Sequence, residues 1–244
     1  MKVKIHTSTY IVLLLSFLSG YFEYMYLLLL TIFIHESGHY FFSTLVNFKY
    51  KEIIIYPFGG LTLYNEDLNI NTNKELISLL GGITFQLLFY FLMKYLFINS
   101  YITFHVFNII KRINYLLLSF NFLPILPLDG GKLLNIILDK LFSYKLSNKI
   151  SIIISIIFIV IFTILNKTYF SIILTIFLIK SIYKEYRLIN YKYNKFIIER
   201  YINNYKFNKI KIINNINSLK RDNTHIINNT FERDYLNKLF DRKC

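Results

Sequence analysis

Six stretches of the chain are almost continuously apolar: Thr9–Gly20, Tyr24–Asn47, Leu76–Phe97, Ile113–Leu138, Ile150–Leu165 and Tyr169–Tyr183. The second, third and fourth reach the ~20 residues that carry a helix across a hydrocarbon core, and the others are shorter, at or just below the lower limit for a span. The pattern predicts an all-α polytopic membrane protein of about six transmembrane helices. Two stretches depart from it. Glu52–Tyr64, EIIIYPFGGLTLY, alternates loosely and turns at Phe58-Gly59-Gly60, which predicts a short membrane-associated β-hairpin whose proline marks an edge strand. Asn121–Gly131, NFLPILPLDGG, lies inside the fourth apolar stretch. Pro124 and Pro127 break the helix there, and Gly130 and Gly131 let the backbone bend and approach a partner closely. Irregular backbone at membrane depth survives only where protein or a watery cavity covers it, so this segment is expected to face inward, carrying Asp129.

Lysine and arginine set the orientation. Half of the 28 lie from Lys184 onward, and Lys49, Lys51, Lys74, Lys140, Lys145 and Lys149 flank the second-to-third and fourth-to-fifth connections. Six spans then place both termini in the cytoplasm, in agreement with Lys2 and Lys4. Lys111 and Arg112 fall on the outer side and are expected to snorkel beside a short interfacial helix from Tyr101. Lys2, Lys4 and the apolar run from Ile11 have the look of a signal peptide, but no A-x-A site follows, which favours an uncleaved first span. Residues 1–183 therefore read as a six-span membrane domain. Residues 184–244 read as a basic cytoplasmic tail, an amphipathic surface helix followed by partly disordered chain.

Composition narrows the function classes. With 55% hydrophobic residues and a mean hydropathy of +0.43, the chain is an integral membrane protein rather than a soluble domain. The net charge of +14 would suit nucleic acid were it spread over a folded domain. Concentrated after the last apolar stretch, it points to anionic lipid, and no direct nucleic-acid partner is expected. Cys244 is the only cysteine, so no disulfide or thiolate zinc site can form within one chain.

The chemistry lies in the second apolar stretch, which contains His35-Glu36-Ser37-Gly38-His39. Histidines four apart share one helix face and can hold one zinc ion, with Glu36 as general base for a metal-activated water. A charged side chain at bilayer depth costs ~2.5–3.5 kcal/mol on insertion scales, so its presence there asks for a function. A catalytic zinc needs a third protein ligand. His6 and His225 are expected outside the hydrocarbon, His105 near the opposite face, and Glu23 at the interface. Asp129, on a broken helix within an apolar stretch, is the expected third ligand; the plainer reading is an aspartate capping a helix that starts near Gly130. Asn121 could hydrogen-bond substrate or a developing oxyanion, or equally satisfy carbonyls freed by Pro124. Gly81 and Gly82 read as close helix packing rather than chemistry, and Lys132 as a side chain that snorkels to the cytoplasmic face.

His35-Glu36-x-x-His39, followed some ninety residues later by Asn121-x-x-Pro124 and Asp129-Gly130, resembles the site-2 protease family of intramembrane zinc metalloproteases. The NFLPILPLDGG segment resembles that of its stage IV sporulation protein FB branch. The resemblance covers about Tyr10 to Tyr183. It implies that His35, His39 and Asp129 bind Zn2+ and that Glu36 is catalytic. It also implies a membrane-associated protein substrate, such as the pro-sequence of a sporulation sigma factor at the forespore outer membrane, and membrane inhibitor proteins as partners. Two departures stand out. The loop between the second and third stretches is too short for the PDZ domain of many relatives, and the tail does not look like the full nucleotide-sensing CBS domain of the sporulation branch. Two other classes remain. One is a membrane zinc peptidase with a glutamate as third ligand, against which no Glu occurs between Glu75 and Glu185. The other is a metal-binding transporter or scaffold without proteolytic turnover.

Overall fold

The computed structural model describes residues 3–241 apart from 49, 58, 65–66, 167, 204 and 206. The chain forms two compact units, Met1–Glu66 with Lys74–Phe120, and Asp67–Asn73 with Asn121–Cys244. This division by packing differs from the boundary at residue 183 read from hydropathy.

The first unit holds β1 (Val3–Ile5), α1 (Thr7–Leu18), α2 (Phe22–Leu45), β2 (Tyr50–Tyr56), β3 (Gly59–Tyr64), most of α3 (Thr72–Ile98) and nearly all of α4 (Phe104–Asn121). Three helices end in the same way. Gly20, Asn47 and Ser100 adopt positive φ just past α1, α2 and α3. The next residue's N–H then reaches back five positions, Tyr21 to Ser16, Phe48 to Ser43 and Tyr101 to Leu96, so backbone donors satisfy carbonyls at the end of each helix.

The expected hairpin is present, with two changes. Gly59 and Gly60 pair with Tyr56 and Ile55 as the first residues of β3, so the turn comes earlier, around Pro57. More important, β1 pairs in parallel with β2, Val3 to Ile53 through Ile5 to Ile55, giving the sheet order β1-β2-β3. The strand before the proline, β2, is thus central, Pro57 lies in the turn rather than in an edge strand, and β3 is an edge. A three-residue strand is too short to show alternation, and its Lys4, read from sequence as a flanking charge, pairs with Glu52 at 2.5 Å. Ile53 and Ile55 of the sheet bury against Leu27 and Ile32 of α2, Phe89 of α3 and Ile110, Ile113 and Leu117 of α4. The short interfacial helix expected from Tyr101 is instead part of α4, one continuous helix in which Lys111 and Arg112 are exposed.

The second unit holds α5 (Asp129–Leu141), α6 (Tyr144–Leu165), α7 (Tyr169–Asn203), β4 (Lys209–Ile213), β5 (Asn223–Ile227), β6 (Thr230–Phe231) and α8 (Glu232–Asp241). The helix expected on the membrane surface is a continuation of α7. The tail beyond it, expected to be partly disordered, folds into a sheet of order β4-β5-β6 capped by α8. Its core joins Leu219, Ile227 and Leu236 to Tyr144, Tyr193 and Phe196, with Tyr144 stacked on Phe196 at 4.4 Å. Burial drives the Tyr193 phenol up to about 12, and its hydroxyl donates to the Ile216 carbonyl. Burial also pushes the Glu232 carboxyl up, but the hydrogen bond from His225 and the charge of Arg200 outweigh it and hold it below the usual carboxylate range.

Among the described residues, α3 and α6 are long and apolar enough to cross a membrane. On α6, Ile153, Ile156, Ile157, Val160 and Ile161 are exposed while Ser147, Ser151 and Ser155 are fully buried. Only 22% of its apolar window is covered by protein. Apolar outside and polar inside is how a helix is solvated by lipid, not water. The remaining expected spans miss this test for reasons visible in their sequences: α1 has 12 residues, α2 carries His35, Glu36 and His39, α4 carries Lys111 and Arg112, and α7 turns polar from Lys180.

Candidate metal centre

One turn of α2 brings His35, Glu36 and His39 together, each no more than 5% exposed. One ligand atom from each lies within 4.8 Å of the others. The two imidazoles stand edge to face, with their Nε2 atoms 3.1 Å apart. Their Nδ1 atoms point away, that of His35 to Gln86 Oε1 at 2.9 Å and that of His39 to the Ser78 carbonyl at 3.0 Å. A carbonyl can only accept, so His39 Nδ1 carries the proton and its Nε2 is a bare lone pair. Two nitrogens each ~2.0–2.1 Å from a tetrahedral zinc stand about 3.3 Å apart. The observed separation is close to that bite, and two imine nitrogens facing each other are stable only with a cation or a proton between them. The donor set therefore fits zinc.

Glycine walls the site on two sides. A Cβ at position 82 would overlap both His39 Nε2 and His35 Nε2, in the space their lone pairs share. Position 60, on edge strand β3, lies so close to the Glu36 carboxylate that a Cβ there would overlap it. The reading of Gly82 as packing alone is thus corrected, whereas Gly81 does pack its backbone on Gly38.

Asp129 belongs to the second unit. It is the first residue of α5, buried, with one carboxylate oxygen 3.1 Å from Lys132 Nζ. Leu128 rather than Asp129 takes the N-cap position, without a side-chain cap. Lys132, expected to snorkel away, turns back to this carboxylate instead. The loop before α5 is held tightly. Leu126 donates its N–H to Ser155 Oγ, Ser151 donates to Asn135 and Ser147 to Asp139, so three serines one turn apart on α6 bind the loop and α5. The backbone of residues 122–126 presses on the first turn of α5 so closely that only glycine fits at positions 130 and 131. Asn121 ends α4, half-buried. Of the histidines set aside, His6 stacks on Tyr56, His105 lies 3.6 Å from Glu23, and His225 is buried in β5 beside Glu232.

The model of peptidase family M50 matches residues 98–165, the stretch that contains Asn121, the proline-broken loop and Asp129. The chain is 28% identical over 206 residues to stage IV sporulation protein FB of Bacillus subtilis, a match covering 82% of this chain and 72% of that protein. It is 28% identical over 123 residues to a zinc metalloprotease of Methanocaldococcus jannaschii, covering 48% of this chain and 35% of the relative. The solved site-2 protease from Methanocaldococcus jannaschii superposes with a TM-score of 0.58 at 22% identity, over 75% of this chain and 89% of that one. The chain is thus similar in sequence to peptidase family M50 and to a stage IV sporulation protein FB, and it shares the fold of a site-2 protease. These similarities support a metalloprotease, and among the described residues His35, Glu36 and His39 form a group that could hold a metal ion.

Gln86 and Gly82 were missed from the sequence. A lone glutamine in the apolar run ITFQLLFYF was a usable signal, because an amide in lipid needs partners. Nothing in the sequence distinguished Gly82 from its neighbour.

Proposed function

We propose that this protein is a site-2-type zinc endopeptidase, multi-pass in the bacterial cell membrane with both termini cytoplasmic, that hydrolyses a peptide bond in a membrane-associated protein. The observation that carries the reading is the pair of Nε2 atoms 3.1 Å apart with Glu36 on the same turn. His35 and His39 would hold the ion, and Asp129 is proposed as the third protein ligand. When bound, zinc polarises the scissile carbonyl and acidifies a water. Glu36 takes the proton of the attacking water as the C–O bond forms, and delivers it to the amine as the C–N bond breaks. Asn121 is proposed to bind substrate backbone. The similarity to a sporulation protein supports the pro-sequence of a sporulation sigma factor as substrate.

The test uses full-length protein in detergent or liposomes, with metal measured by mass spectrometry and cleavage of a membrane-associated substrate followed by gel. Wild type should hold about one zinc, and His35→Ala, His39→Ala and Asp129→Ala should lose metal or activity. Glu36→Gln should keep the zinc and lose turnover by orders of magnitude, since an amide accepts no proton. Turnover near wild type in Glu36→Gln would leave a metal-binding transporter or scaffold as the better reading, and full zinc with full activity in Asp129→Ala would remove that ligand.

A further inference from the structure

Gln86 sits on α3 with no exposed surface, facing His35. Its amide makes two hydrogen bonds of opposite sense. Nε2 lies 3.2 Å from the backbone carbonyl of Asn114 on α4, and Oε1 lies 2.9 Å from His35 Nδ1. The two ends of a glutamine amide are nearly alike in shape, so its orientation follows from its partners. A backbone carbonyl only accepts, so the NH2 end must face Asn114. That leaves the oxygen facing His35, and an oxygen only accepts. His35 Nδ1 must therefore carry the proton, and Nε2 is left bare on the side of His39 and Gly82.

We propose that Gln86 is a positioning residue that commits His35 to its metal-binding tautomer, through a hydrogen-bond chain anchored on the Asn114 carbonyl. The two histidines thus have different supports: His39 takes its tautomer directly from the Ser78 carbonyl, while His35 takes it at second hand from α4. In an apolar surround no water can substitute for the glutamine, because the partners on both sides are buried. Support of this kind for a metal-ligating histidine is worth about 10- to 100-fold in metal affinity.

The inference rests on the reading that His35 and His39 hold zinc, and the experiment separates the two. Zinc affinity of the full chain is measured by chelator competition, Co2+ substitution reports ligand geometry through its absorption bands, and 15N shifts of histidine in metal-free protein report the tautomer. Gln86→Met keeps the volume and loses the acceptor. It should weaken zinc about 10- to 100-fold, alter the Co2+ spectrum, and let the His35 proton move to Nε2. Gln86→Glu keeps an acceptor toward His35 while losing the donor to Asn114. It should retain zinc within a few fold and keep the Nδ1–H tautomer. Unchanged affinity and tautomer in Gln86→Met would overturn the proposal, as would equal loss of zinc in both variants, which would mark position 86 as packing. If Gln86→Met does not fold, the tautomer in Gln86→Glu decides: Nδ1–H supports the assignment, Nε2–H refutes it. Failure of wild type to bind zinc would instead refute the reading of the site itself.

Discussion

At the scale of single residues, the site depends as much on missing side chains as on present ones. His35 and His39 supply lone pairs, but those lone pairs share a volume only because position 82 has no Cβ. A methyl group there would overlap both nitrogens, so the two imidazoles would have to move away from it. Gly82→Ala should therefore lose zinc by at least an order of magnitude, comparable to removing a supporting group, while the ~1 kcal/mol gained from alanine as a helix former offsets part of the cost of displacing the two buried imidazoles. Chelator competition together with thermal unfolding checks both parts. Gly82→Ala with wild-type zinc affinity would show that the ion sits elsewhere.

At the scale of elements, β3 is the feature that brings structure to Glu36. Its Gly60 lies against Glu36, and β3 is an edge of the sheet, whereas β2 is paired on both sides. A scissile peptide must be extended to expose its carbonyl, and an open edge imposes that shape through main-chain hydrogen bonds. Neighbouring residues of a strand point their N–H groups to opposite sides, so proline at position 61 or 62 removes in one case a donor to β2 and in the other a donor on the free edge. One of Leu61→Pro and Thr62→Pro should fold normally, keep its zinc and cleave at least tenfold more slowly, consistent with losing one to two hydrogen bonds to substrate. Normal cleavage in both would mean that substrate is not held on this strand. Ile54→Pro, in the central strand, should simply damage the sheet.

How much of this was legible in the sequence follows the same division. The metal helix, the broken helix before Asp129 and the hairpin were readable because each has a short-range signature: histidines at helical spacing, paired prolines, and alternation around a turn. β1 was not, because three residues joined in parallel to a strand some fifty residues away leave no local pattern. The serine ladder of α6 was readable in principle, since Ser147, Ser151 and Ser155 recur every four residues in an otherwise greasy helix. The folded tail was hidden by composition. Asparagine and lysine suggest disorder, yet the sheet beyond α7 buries a few apolar residues of its own and completes its core with Tyr144 of α6 and Tyr193 and Phe196 of α7.

At the scale of the whole molecule, the exposed apolar belt of α6 argues for lipid, and reporter fusions at Lys74, Lys149 and Cys244 should all report cytoplasm if six spans are correct. A fusion at Cys244 that reports the outside would require a different span count.

The tail is more than an appendage, because it grips the helix that begins with Asp129. Arg221, between β4 and β5, places NH1 3.0 Å from Asp139 near the end of α5 and NH2 2.8 Å from the Ile70 carbonyl. Asp222 caps the first turn of α3 at Thr72. Arg200 of α7 binds Asn69, Glu232 and the carbonyls of Lys220 and Asn223. The Asp139 side chain is fully buried and that of Arg221 only 7% exposed, so each charge relies on its partner. Removing one leaves the other buried and unpaired, which costs ~3–5 kcal/mol, whereas removing both at once is often close to neutral. Arg221→Met and Asp139→Asn should each lower the unfolding temperature of the full chain clearly, and the double variant should be no worse than the poorer single one. Additive losses would mean that Arg221 acts through the Ile70 carbonyl and its packing. In that case the tail would stabilise the loop before α3 without holding α5.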